Sequence, residues 1–185
     1  MAYLGAATVH VPAQQSYITD MQSSTMMVSG TSNLHGWEME VRDFTCTLDL
    51  SRKERNIQIQ SVRFTAISGS IESRRSIMNK KTHDALMADR YPEITFRASS
   101  TEVMEVDTSS FKGSLSGDLL IAGKTSRITL TFSGELLSGG DIRVSGFKEL
   151  RMSDYNIDPP TAILGTLKTD DEVNVSFDLV FEKEE

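Results

Sequence analysis

The residues best equipped for chemistry in this chain are few and scattered. Its three histidines are His10, His35 and His83; they are scattered, and no second histidine or acid stands beside His35 at metal-ligand spacing, so no metal centre is expected. His35 has two readings, a hydrogen bond to the head of a ligand or a structural bond to backbone. His35, Asp43 and a serine contain the makings of a hydrolytic arrangement. Yet no G-x-S-x-G elbow, H-E-x-x-H helix or phosphate-binding glycine loop accompanies them, and the chain is not expected to be an enzyme. The single Cys46 excludes an internal disulfide and a thiolate metal cage. It falls on the apolar phase of its segment, which marks a small buried hydrophobe rather than a reactive thiol. The densest basic cluster, Arg74, Arg75, Lys80 and Lys81, could draw a charged or polar head group towards it; the alternative is a solvated helix face.

These residues depend on strands for their placement. From Ser32 to Leu50 the apolar side chains first occupy the odd positions Trp37, Met39 and Val41. They then change phase to Phe44, Cys46, Leu48 and Leu50. Period-two alternation cannot change phase without an irregularity, so a bulge or bend is expected near Arg42 and Asp43. A second phase change, from Ile57 and Ile59 to Val62 and Phe64, implies the same. Such bent, coiled strands suit a closed barrel better than a flat sandwich. Further alternating runs cover Tyr17–Ile18, Thr25–Ser29, Ile94–Phe96, Val103–Val106, Phe111–Ile121, Ile128–Leu136, Ile142–Leu150 and Val173–Phe181. Ala122-Gly123-Lys124-Thr125 and Ser138-Gly139-Gly140-Asp141 supply hairpin turns, while Gly113 and Gly117 inside a strand suggest a sharp bend or a close neighbour.

One helix is expected between Ser76 and Asp89, near residues 77–88. Met78, Thr82, Ala85 and Leu86 form its narrow apolar stripe, Ser76 or Asn79 is a suitable cap, and Pro92 bars its continuation. Too short to stand alone, it must lean on the sheet, across one open end of the barrel. The chain of 185 residues fits one domain, 16–185, and its formal charge of −7 disfavours nucleic acid. Residues 1–15 read as a leader. Tyr3 to Val11 is mildly apolar and Val11-Pro12-Ala13 offers a small-residue cleavage site, but no basic segment precedes them, so an export-signal remnant and a disordered leader both stand. No apolar run reaches the ~20 residues of a membrane helix.

Four segments in order carry a family resemblance: Ser32-Asn33-Leu34-His35-Gly36-Trp37, Met87 through Phe96, Leu115 through Thr125, and Asp171 through Phe177. Together they resemble the YceI-like family over about residues 29–181. The resemblance implies an all-β, lipocalin-like antiparallel β-barrel of about eight strands with one short capping helix. It also implies an isoprenoid chain bound inside and an exported, periplasmic or secreted, bacterial protein. The expected ligand is an apolar isoprenoid lipid or isoprenoid quinone rather than a cofactor. Its site is expected to be lined by Leu34, His35, Trp37, Met39, Val41, Phe96, Leu119, Ile121, Leu130, Phe132, Val175 and Phe177, with Met78 and Leu86 from the helix. Arg74, Arg75, Lys80 and Lys81 would form a collar for a diphosphate or quinone head. The chain departs from the family where Asn79-Lys80-Lys81-Thr82-His83 and Leu86-Met87-Ala88 replace an Arg-Asp pair and paired phenylalanines. Tyr155-Asn156-Ile157-Asp158-Pro159-Pro160 is an unusual approach to the final strand that would reshape the cavity mouth. Three rivals remain: an interaction protein with a filled barrel, dimeric through an exposed strand edge, an outer-membrane barrel with its apolar face outward, and a hydrolase.

Overall fold

A computed structural model describes residues 14–53, 56–106, 109–162 and 166–184; the leader expected over residues 1–13 lies outside the described residues. The chain order is β1 (Gln14–Thr19), β2 (Thr25–Ser32), β3 (Trp37–Val41), β4 (Phe44–Lys53), β5 (Asn56–Ile67), a 3-10 turn (Ser68–Ser70) and β6 (Ile71–Glu72). After helix α1 (Ser76–Ala85) come β7 (Glu93–Val106), β8 (Ser110–Ile121), β9 (Lys124–Leu136), β10 (Ile142–Arg151), a second 3-10 turn (Met152–Tyr155), β11 (Thr161–Ala162) and β12 (Leu167–Lys183). Gln14 and Gln15, assigned above to the leader, are the first residues of β1 and pair with Ser51 and Leu50.

The sheet closes on itself. The antiparallel ring runs β1, β4, β5, β7, β8, β9, β10, β12 and back to β1, and β2, β3 and β6 prolong β1, β4 and β5 beyond a break in each. The result is an eight-stranded barrel with one helix, in which every strand of the ring pairs with a neighbour on each side.

Both phase changes are real. The first is the gap between β3 and β4 at Arg42 and Asp43. There the Arg42 amide donates to the Ser70 carbonyl (3.1 Å), the Asp43 amide to Ser70 Oγ (3.0 Å) and the Ile67 amide to the Asp43 carbonyl (3.0 Å). The break in one strand is thus pinned to the 3-10 break in its neighbour, and the barrel bends where the interruptions lie side by side. The second is a register shift in which Ser61 faces Asp49 but Ile59 faces Leu50, leaving Gln60 as the extra residue.

Two expectations need correction. The separate strands at Ile94–Phe96 and Val103–Val106 are one strand, β7. Register shifts between Ala98 and Thr101 and between Val103 and Glu105 break the alternation, which hides its continuity. The helix is also shorter than 77–88. Met87 turns left-handed (φ 50°) and the Ala88 amide bonds back to the His83 carbonyl (2.9 Å), closing the helix well before Pro92. Neither Ser76 nor Asn79 is the cap. Arg75 holds that position without a side-chain bond, while Asn79 Oδ1 accepts from the Ser73 amide (2.7 Å) and hydroxyl (2.8 Å), tying the helix to the chain before it.

Apolar side chains point into the barrel and polar ones out. Along β9 the outward residues include Arg127, Thr129, Thr131, Ser133 and Glu135. That is the opposite of the outward apolar band of an outer-membrane barrel. Among the described residues no helix is long and apolar enough to cross a membrane.

Candidate ligand-binding site

The barrel interior is packed at one end and hollow at the other. At the end holding the β4–β5 and β9–β10 turns, Leu50, Ile57, Phe111 and Ile142 are buried, Ile142 to 1% exposure, and Phe111 meets Phe132 edge-on with ring centroids 6.3 Å apart. Towards α1 a cavity of about 690 Å³ opens. Ile77 lines it while remaining 74% exposed, so the hollow reaches solvent beside the start of the helix.

The hollow exists partly because aromatic rings lie flat on the wall. Gly30 pairs with Trp37 and Gly146 with Phe177. A Cβ on Gly30 would stand 2.4 Å from the Trp37 ring, and one on Gly117 would stand 2.4 Å from the Arg97 carbonyl and 2.7 Å from the Phe96 ring. Each ring occupies the space that a side chain would have taken, so it covers the wall instead of filling the lumen.

Of the residues expected from sequence, Trp37, Met39, Val41, Phe96, Leu119 and Ile121 line the cavity. So do Leu130, Phe132, Val175 and Phe177 from the strands, and Met78 and Leu86 from the helix. Thr82 Oγ1 sits 3.2 Å from Met39 Sδ, joining the helix stripe to the wall. His35 also lines the cavity, with Nδ1 3.1 Å from the Gly36 carbonyl. Leu34 does not: its side chain is 66% exposed because Ser32 folds the loop over, its hydroxyl donating to the His35 carbonyl (2.8 Å) and turning Leu34 outward. Asn33 clamps the same loop to the start of β12, its Oδ1 accepting from the Lys168 amide (3.0 Å) and its Nδ2 donating to the Thr166 carbonyl (2.8 Å). His83 is half-buried, with Nε2 3.0 Å from the Ile71 carbonyl.

Arg74, Arg75 and Lys81 line the mouth. Lys80 does not, because one step around the helix it faces away and pairs with Asp84 (3.1 Å). Two further cations arrive from β10, Lys148 and Arg151. Once the register of β10 is fixed, Lys148 falls in the alternation Ile142, Val144, Gly146, Lys148, Leu150, whose members all face inward.

The Pro-rich approach does shape the mouth. Tyr155 (2% exposed) and Ile157 (6%) fold under it and line the cavity, helped by a left-handed Asn156 (φ 57°). Asp171 holds this turn, accepting from the Ser153 amide (2.8 Å) and hydroxyl (2.6 Å), bonds that keep its carboxyl below the usual range. Burial pushes the Tyr155 hydroxyl above its ordinary range. Ser126 eases that shift without reaching hydrogen-bond geometry, so the hydroxyl has no partner among the described residues. Among those residues, too, no group of three or more His, Cys, Asp or Glu is placed to hold a metal ion.

The matching family model, described as a YceI-like domain, spans residues 12–181. The chain belongs to the YceI-like family. Among the solved structures that share its fold are the following three. Burkholderia cenocepacia BcnA matches with a TM-score of 0.71 and 20% identity, covering 88% of this chain and 98% of that one. A polyisoprenoid binding domain from Saccharophagus degradans, implicated in plant cell wall breakdown, matches at 0.68 and 15%, covering 92% and 99%. The Campylobacter jejuni YCEI protein matches at 0.59 and 20%, covering 84% and 85%. No curated protein matches the chain in sequence. Within this YceI-like chain the four segments have structural roles. Ala122 and Gly123, both at positive φ (48° and 78°), make the two-residue turn between β8 and β9, and the Tyr91 ring lies 2.5 Å from where a Gly123 Cβ would sit.

Proposed function

We propose that this YceI-like barrel binds one long apolar chain of isoprenoid type and sequesters or carries it without changing it chemically. The observation that carries the reading is the hollow of about 690 Å³ with an apolar wall, open beside α1. At ~30 Å³ for a group the size of water, that space admits on the order of twenty carbon atoms. Burying each methylene is worth about 0.8 kcal/mol, so such a chain gains on the order of 16 kcal/mol. Micromolar binding, about 8 kcal/mol, then follows where association costs no more than about 8 kcal/mol, in the lower half of the range of about 4–15 kcal/mol. An isoprenoid tail needs only a dry, shaped wall, and its repeated methyl branches suit the uneven surface made by Met26, Met39 and Met78. The Saccharophagus degradans domain, described as polyisoprenoid binding, shares the fold and supports this choice of ligand class.

We further propose an extracytoplasmic, periplasmic or secreted, site of action, supported by the apolar leader-like stretch Tyr3–Val11 ahead of Val11-Pro12-Ala13. Native mass spectrometry of freshly purified protein, followed by organic extraction, tests the ligand reading. A bound species of discrete mass that extracts as an isoprenoid supports it. A clean apo spectrum, together with no uptake of added polyprenol, removes it.

A further inference from the structure

The two most exposed large apolar side chains among the described residues are Ile77, at 74%, and Leu34, at 66%. They are far apart in the chain, on the first turn of α1 and on the loop between β2 and β3, yet the fold brings both to the rim of the hollow. Because β6 runs antiparallel to β3, with Glu72 opposite Glu40 and Ile71 opposite Val41, the chain leaving β6 for α1 heads back towards that loop. A run of bonds then closes the rim. Lys81 donates to the Thr161 carbonyl, Thr161 pairs with Lys168, and the Asn33 amide donates to the Lys168 carbonyl (3.1 Å). Ile77 lines the opening itself, and so does His35, the chain neighbour of Leu34.

Neither exposure serves the packing of the barrel. Ile77 falls outside the stripe of Met78, Ala85 and Leu86 that rests on the core. Leu34 is held outward by its own loop, where the Ser32 hydroxyl donates to the His35 carbonyl (2.8 Å) and accepts from the His35 amide (3.2 Å). A pair of large apolar side chains displayed at one opening marks a contact with an apolar phase, which would relieve their hydration. Phe147, next in exposure at 65%, stands instead on the outer wall in the middle of β10, opposite Thr131 and Ser176. The charge beside the pair says which phase. Arg74 and Arg75 directly precede the first turn of α1 and make no ion pair or side-chain hydrogen bond among the described residues. No aspartate or glutamate lines the opening, although the chain carries 26 acidic residues against 19 basic ones. Apolar side chains next to unpaired guanidinium groups match the interface of an anionic bilayer, where acyl chains lie just beneath phosphates. The surplus of acid on the rest of the molecule turns the other faces away from such a surface.

We propose that this rim docks on the surface of an anionic bilayer, with Leu34 and Ile77 entering the interface and Arg74 and Arg75 meeting the phosphates of the membrane lipids. The hollow then opens onto the lipid phase, and an apolar chain passes between membrane and barrel without crossing water. This rests on the tail-binding reading above and adds where the barrel is loaded or emptied.

The test uses the full chain and two readouts. Flotation with vesicles, of phosphatidylcholine alone or with an equal part of phosphatidylglycerol, measures docking. The single tryptophan, Trp37, lines the cavity and reports its occupancy by fluorescence when geranylgeraniol is added from ethanol without vesicles. The protein is expected to float with the mixed vesicles and to partition at least about fivefold less into phosphatidylcholine alone, a gap that closes towards about 0.5 M NaCl. Leu34→Ser and Ile77→Ser are each expected to lower partition into the mixed vesicles by about fivefold or more. Leu34 stands outside the cavity, so its variant is expected to keep the melting temperature and the Trp37 response of the parent. Arg74→Gln with Arg75→Gln is expected to narrow the gap between the two vesicles, and Phe147→Ser to leave partition unchanged. Absence of flotation, full partition of both serine variants, or an equal loss in Phe147→Ser overturns the docking while the Trp37 response still upholds the tail reading. A dimer in solution that Leu34→Ser dissolves would make the patch a contact between copies and overturn it too. Flotation that follows this pattern without any Trp37 response upholds the docking surface and overturns the tail reading.

Discussion

At the scale of single residues, the interior is governed by where a Cβ is absent. Gly146 faces Phe177 directly, and a Cβ there would sit 2.7 Å from the ring and 2.7 Å from the Thr131 carbonyl. Gly146→Val is therefore expected to push Phe177 into the lumen, lowering stability by about 1–3 kcal/mol and weakening tail binding several-fold. Thermal melts and Trp37 titration would read the two effects, and unchanged tail affinity would contradict the wall-lining role of the ring. Cys46 makes the opposite kind of statement. It is 4% exposed and burial pushes its thiol up to about 12, so at pH 8 it is both sealed and protonated. A thiol reagent is expected to label it only as fast as the barrel unfolds, and rapid labelling of the native protein would refute that packing. The sequence already marked Cys46 as buried by its phase. It did not mark Lys148 as lining the cavity, because a lysine in a strand reads as a solvent-facing residue until its register is fixed.

At the scale of elements, the outer face of the barrel is laced where strands meet. Asp49 on β4 accepts from Ser16 Oγ on β1 (2.7 Å) and Ser61 Oγ on β5 (2.6 Å) and lies 3.6 Å from Arg63 Nη1, joining three neighbouring strands through one carboxylate. The Ser61 and Ser16 bonds, with a smaller pull from Arg63, hold that carboxyl below its ordinary value of 3.8. A depressed carboxyl stabilises the fold at pH values above the ordinary value and loses that contribution as pH falls through the lower, folded one. Asp49→Asn is expected to cost about 1–2 kcal/mol at neutral pH. The deficit should shrink once pH drops below about 4, where wild type is losing the same interaction. Urea unfolding at pH 7 and at pH 3 would show it, and an equal deficit at both would be inconsistent with a charge-linked role. Element boundaries were legible only where the pattern was regular. The break at Arg42 and Asp43 announced itself as a phase change, whereas the two register shifts in β7 made one strand look like two. The end of α1 depended on Met87 turning left-handed, for which no glycine gave notice.

At the scale of the whole molecule, the plug of Leu50, Ile57, Phe111 and Ile142 closes the far end and fixes the depth of the hollow. Tail affinity should therefore rise steeply from ten to about twenty carbons, by up to about 0.8 kcal/mol per added methylene-sized group, and then level off as further carbons remain outside. A titration series of prenols of increasing length would measure this, and a continued rise well past twenty carbons would show that the plug yields. The sequence by itself determined the barrel, its bends and the helix at its end, because alternation, phase changes and turn residues are local properties written in neighbouring positions. It also determined most of the apolar wall, since inward phase follows from period. Only the tertiary structure decided that the interior is hollow, that Leu34 and Lys80 turn away from it and that Lys148 turns in. Those outcomes depend on which rings lie against which glycines across strands, and on how far the closed ring leaves its facing walls apart, neither of which any single segment encodes.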